Sequence, residues 1–433
     1  MREYCLPAAL AATLCLPTAA HAVPSFAEQT GLRCVACHVG AFGPQLTQIG
    51  RDFKLHAYTL SGGGSDAFPP LAAMAQTSFT HTSQGQAGGA APGFGSNDNL
   101  TLDQASLFIA GRIADPAGMF VQLTYDGTGH AFTWDNLDIR YSDDGTLAGK
   151  KLTWGATLNN NPTVQDLWNT TPAWGFPFAA SPLAPTPAAA TLIDGGLAQT
   201  VLGAGLYAKW DDLLYVEVDG YHSLDRSVQK ALGAAGSPPT LMDGLFPYWR
   251  VALEQSWGPH HVELGTYGMA ASPFPAGITG GTSDTVTDTA VDASWQFDPS
   301  PDINVSAYAT WIGESQDLKA SRVAAGTNPH DSLRTFRTNV SFTYQNSYTA
   351  NAQWFDTTGS SDLAQFGGSP NSAGWVTELD WTPGGKDGSF LPDWLNVKVS
   401  LQYVAYTKFD GTTQNASAND TFYGLIWWAV PLR

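Results

Sequence analysis

The chain has 433 residues, of which only 13% are charged and 12% aromatic, with 45 glycines. A soluble surface usually carries about twice that share of charge, so the composition argues against a large globule wetted on all sides. The net charge of −18 argues against nucleic acid as a partner, which calls for a basic face.

The first 22 residues read as a secretory signal peptide. Arg2 supplies the positive start, residues 6–17 the apolar stretch, and Ala20-His21-Ala22 the cleavage site. The mature chain is expected to begin at Val23. Cys5 and Cys15 belong to the signal, which leaves Cys34 and Cys37, too few for a disulfide framework. No later stretch offers 18 consecutive apolar residues, so no transmembrane helix is expected.

Residues 23–72 carry the one motif with chemistry. Cys34-Val35-Ala36-Cys37-His38 has the C-x-x-C-H spacing of covalent haem attachment. Two thiols bond the haem vinyl groups and the next residue sets an imidazole against the iron. A thioredoxin-like reading lacks the surrounding βαβ pattern, and a zinc site lacks a second Cys pair. Residues 44–54 suit a short amphipathic helix with Leu46, Ile49 and Phe53 on one stripe. A segment this small seldom folds without a covalent or metal aid, so it is expected to wrap a haem and plug a larger body. His and Met are the usual second axial ligands. His56 is the leading candidate, followed by Met74, His81 and His130, with an open iron position as the further alternative. His260-His261 reads as a surface turn in preference to a metal site.

Residues 73–433 read as a barrel. Period-2 alternation predicts sixteen strands near 73–83, 101–112, 116–127, 133–141, 149–158, 197–210, 212–223, 245–257, 259–270, 285–298, 302–313, 333–345, 347–357, 373–383, 395–408 and 419–430. In 395–403, Leu395, Val397, Val399, Leu401 and Tyr403 oppose Asn396, Lys398, Ser400 and Gln402. Such rows suit lipid on one side and a lumen on the other. Short connections such as Asp115-Pro116 and Gly258-Pro259 alternate with long ones such as 159–196 and 224–244. Trp154, Trp210, Trp249, Trp257, Trp295, Trp311, Trp381 and Trp394 are expected near strand ends, as an aromatic girdle. The expected fold is therefore an all-β transmembrane antiparallel barrel of about 16 strands, in the bacterial outer membrane, with a small α-helical haem plug at its N-terminus.

The segments Pro24-Ser25-Phe26-Ala27, Gln29-Thr30-Gly31, Cys34 to His38 and Gly50-Arg51-Asp52-Phe53-Lys54, with Tyr58-Thr59 after, resemble the fused outer-membrane cytochrome–porin family. The resemblance is detailed over about 40 residues and rests elsewhere on length and barrel pattern. It implies one covalent haem c held by Cys34, Cys37 and His38, and an iron(II)-oxidising role. Electrons would pass from an extracellular donor such as Fe(II) to a periplasmic cytochrome or copper protein. Acidic loop residues Asp166, Asp225, Asp243, Asp284, Asp317 and Asp331 could attract the metal cation. The alternatives are a diffusion porin whose haem plug gates or senses, and a haem peroxidase or gas sensor with an open iron position.

Overall fold

The computed structural model describes residues 24–62, 71–392 and 394–432. The signal peptide and the expected start at Val23 lie outside these residues. Sixteen strands pair antiparallel, each with its sequence neighbours, and the first closes on the last. They are β1 Leu71–Thr82, β2 Asn99–Ala114, β3 Ala117–Asp126, β4 Ala131–Leu147, β5 Lys150–Asn159, β6 Val201–Trp210, β7 Leu214–Ser223 and β8 Phe246–Trp257. Then follow β9 His260–Ala271, β10 Thr285–Ser300, β11 Ile303–Asp317, β12 His330–Tyr344, β13 Tyr348–Gly359, β14 Ser372–Trp381, β15 Asn396–Lys408 and β16 Thr421–Leu432. No helix among the described residues is long and apolar enough to cross a membrane.

Alternation sets the two faces. On β15, Asn396, Lys398, Ser400 and Gln402 are buried inward while Leu401 and Tyr403 are exposed outward. On β12, Asn339, Ser341 and Thr343 are buried, whereas Val340, Phe342 and Tyr344 face out. Leu206, Val218, Leu264 and Leu379 extend the outer apolar surface around the wall. Burying polar rows inside and exposing apolar rows outside is stable only where the outside is hydrocarbon.

The connections sort by length. Two or three residues join β2 to β3, β4 to β5, β6 to β7, β8 to β9, β10 to β11 and β12 to β13. By the usual rule these short turns are periplasmic. Residues 382–395 form a long connection on the same side, and residues 127–130 a short one on the opposite side. Trp210, Trp257 and Trp381 each end a strand on the turn side. Trp311 departs from the expected girdle and sits within β11.

Two bodies fill the lumen. From the turn side comes the N-terminal segment, with helices α1 Pro24–Thr30, α2 Cys34–Cys37 and α3 Gln48–Leu55. From the loop side comes the connection 160–200, in which Thr163, Val164, Gln165, Asp166 and Leu167 are fully buried. Asp166 organises that connection. Its carboxylate accepts from the Trp168, Thr170 and Thr171 amides at 3.1, 2.9 and 3.1 Å, and Arg250 of β8 lies 3.4 Å away. Asp166 is thus no surface acid, contrary to the sequence expectation. Asp284 is buried too, accepting from the Ala320 and Ser321 amides at 2.8 and 3.0 Å.

Candidate functional site

The Cys pair sits at the centre of the N-terminal segment. α2 is a single turn, which the His38 amide closes onto the Cys34 carbonyl at 2.9 Å. His38 then turns extended and pairs with Leu46 in a one-bridge ribbon. This pairing holds residues 44–47 out of the helix expected from residue 44. The Thr47 hydroxyl accepts from the Gly50 amide at 3.3 Å and so caps α3. Gly50 lets α3 lie against α2, since a Cβ there would stand 2.3 Å from the Cys37 carbonyl oxygen. Leu46 and Phe53 are buried as the stripe predicts, but Ile49 is exposed.

Polar ties fix this segment to the wall around the turn-side half of the lumen. The Arg112 amide of β2 donates to Gln29 Oε1 at 2.6 Å. Tyr58 Oη donates to Asp138 Oδ2 of β4 at 2.6 Å. Tyr207 Oη of β6 donates to the Leu55 carbonyl at 2.9 Å. Arg51 donates to Gln296 Oε1 of β10 at 2.8 Å, and Gln45 to Ser306 Oγ of β11 at 2.7 Å. Asn396 of β15 donates to the Ala41 carbonyl at 2.8 Å and to Cys34 Sγ at 3.4 Å. Lys54 ties the plug to the inner connection, donating to the Val164 carbonyl at 2.9 Å and to Asn169 Oδ1 at 3.2 Å.

Between plug, wall and inner connection lies a cavity of about 1250 Å³, open solvent at its mouth included. Cys34, Cys37 and His38 form part of its lining. Phe26, Phe42 and Phe53 add plug aromatics, and Phe108, Phe120 and Trp427 add wall aromatics. Trp174 closes it from the inner connection, with its indole N–H held by the Val164 carbonyl at 2.7 Å. Mostly apolar and edged by a few polar groups, it has the usual make-up of a cofactor pocket.

Burial controls the ionisable groups here. It pushes the Cys34 thiol up and the Cys37 thiol up to about 11, so both are neutral thiols. It pushes His38 down to about 4, against a weaker opposing pull from the Gly43 backbone. The ring is therefore neutral with its lone pair free, which is the form that binds a metal. Its Nδ1 makes no hydrogen bond of good geometry. Burial also pushes Lys54 down to about 7, with Arg140 adding to the effect.

The other expected ligands are dispersed. His56 does not line the cavity. It caps the C-terminal end of α3, with Nδ1 2.8 Å from the Asp52 carbonyl and Nε2 3.5 Å from Asp144 of β4. His81 pairs with Asp98 at 2.7 Å near the loop end of β1, and His130 lies in the connection after β3. Met74 of β1, in contrast, does line the cavity. The sequence ranked it behind His56, since spacing alone does not show that this wall residue shares a cavity with the plug's cysteines. His260 stacks on Phe297 with ring centres 4.7 Å apart.

No family model matches the chain, and no curated relative matches it. Solved structures similar to it include OmpF of Salmonella typhi in complex with daunomycin, at 11% identity over 83% of this chain and 96% of that one, TM-score 0.48. OprB of Pseudomonas putida matches at 11% identity, over 84% and 93%, TM-score 0.47. An anion-selective porin from Comamonas acidovorans matches at 10% identity, over 84% and 98%, TM-score 0.46. The closed pairing, outward apolar rows and short turns of this chain make it a porin-like β-barrel of the bacterial outer membrane.

Proposed function

We propose that the chain is an outer-membrane c-type cytochrome, built as a barrel around one covalent haem, that passes electrons from an extracellular donor such as Fe(II) to a periplasmic carrier. The observation that carries this reading is the presence of Cys34, Cys37 and His38 in the lining of one apolar cavity inside the lumen. Each thiol would add across a vinyl C=C bond, sulfur to one carbon and hydrogen to the other, so attachment needs no oxidant. The neutral His38 imidazole is ready to serve as the proximal ligand. The haem, when bound, would supply one-electron chemistry. The aromatic lining would surround it with apolar side chains, and Arg33 would offer a charge to its propionates. The cavity lies in the turn-side half, which favours a periplasmic acceptor docking on that side.

The barrel by itself fits a diffusion porin better than a cytochrome, and that is the second reading. The contents of the lumen weigh against it, because plug and inner connection are tied to the wall on many sides. Two measurements on purified protein separate the readings. A pyridine haemochrome spectrum should show one c-type haem. Liposomes holding a trapped acceptor should oxidise external Fe²⁺ while conducting ions poorly. Porin-sized conductance from haem-free protein would overturn the proposal.

A further inference from the structure

We infer that Met74 supplies the second axial ligand, so that the iron is held between the plug and the barrel wall. This rests on the haem reading above and deepens it. Among the described residues lining the cavity, His38 and Met74 are the only His or Met. The remaining donors are already engaged. Lys54 Nζ gives its hydrogens to the Val164 and Asp166 carbonyls and to Asn169. Tyr58 Oη is spent on Asp138 at 2.6 Å.

Met74 is also held in place. It points inward from β1 and is 8% exposed. The indole N–H of Trp427, on the neighbouring strand β16, donates to its Sδ at 3.1 Å. A thioether sulfur has two lone pairs, so this bond fixes the side chain and leaves one pair for a metal. An N–H on the sulfur also makes it a weaker donor to iron, and a His–Met pair already sits at a higher potential than bis-His. The strand wall, unlike the short plug, does not bend easily. An axial ligand placed there is positioned by the ladder of β1 with β2 and β16.

The test compares full-length wild type with Met74→Leu, Met74→His and His56→Ala by absorption spectra, carbon monoxide binding and redox titration. Wild type should be low-spin, with the sulfur-to-iron charge-transfer band when oxidised. Met74→Leu should lose that band, shift to high spin and bind carbon monoxide when reduced. Met74→His should return to low spin without the band and at a lower potential. His56→Ala should match wild type. A band retained in Met74→Leu, or one lost in His56→Ala, overturns the assignment, as does a haem-loaded wild type without it. Should Met74→Leu fail to fold, the band and potential of Met74→His decide the question. The pyridine haemochrome spectrum keeps the two proposals apart. Wild type without c-type haem sinks the cytochrome reading itself, whereas wild type with c-type haem but no dependence on Met74 sinks only the ligand.

Discussion

Arg51 of α3 and Glu254 of β8 face each other at 3.3 Å, and both side chains are 5% exposed. The plug is thus bound to the wall through a buried ion pair. Glu254 also takes Lys209 of β6, and Arg51 reaches Gln296 of β10. One plug residue thereby engages strands on one arc of the lumen.

Arg51→Ala should loosen the plug. Glu254 keeps Lys209, so the cost is the loss of the plug's own charged hydrogen bonds, about 1.5–3 kcal/mol. The expected result is a lower denaturant midpoint and faster protease cutting within residues 24–62, with the barrel still folded on gels. Unchanged cutting would mean that the other ties suffice.

Asp166→Ala should free the inner connection. That carboxylate gathers three backbone amides, so its loss leaves three buried donors without their acceptor at about 1–3 kcal/mol each, while Arg250 keeps Glu263 and Asp292. Planar-bilayer recordings should show larger and noisier ion conductance than wild type. Recordings as quiet as wild type would show that 160–200 stays in place without Asp166.

Charge on the outer wall should be costly. Leu401, mid-strand and 51% exposed, faces lipid, so Leu401→Arg should lose roughly 2–4 kcal/mol. Val323, 89% exposed on a short loop helix, should accept Arg with no measurable loss. Equal heat-resistant gel mobility of the two variants would refute the placement of β15 in the membrane.

If the proposed haem is attached at both cysteines, Cys37→Ser leaves at most one thioether. The pyridine haemochrome band should move away from the two-thioether position, and most haem should extract into acidified organic solvent. Full retention of a two-thioether spectrum would remove Cys37 from the attachment.

Much of this architecture is written as alternation. All sixteen strands lie where period 2 places them, because a wall between lipid and a polar lumen needs that period in every strand. The misses have local causes. β4 runs on to Leu147 through Ser142-Asp143-Asp144-Gly145, whose polarity hides the strand. The stretch 197–200 is not strand, since Gln199 holds a left-handed φ of 68°. The plug was expected in the lumen, but the second filling, the connection 160–200, was not legible at all. Asn160, Thr163, Gln165 and Asp166 are polar yet wholly buried, and hydrophobic patterning cannot flag a polar interior. Cys34, Cys37 and His38 stand out through spacing, whereas Met74 ranked behind His56 because its nearness to them comes from the fold rather than from sequence.

Closure also sets a timetable. β1 follows the plug in the chain and is the strand that meets β16, so the plug is tethered at the seam that closes the barrel. Cys34 is then 5% exposed and behind a wall. On the proposed function, haem would be joined to that sulfur while the segment is still open to the periplasm. On that reading the seam between first and last strand would separate two stages of manufacture, with cofactor loading on one side of it and membrane residence on the other.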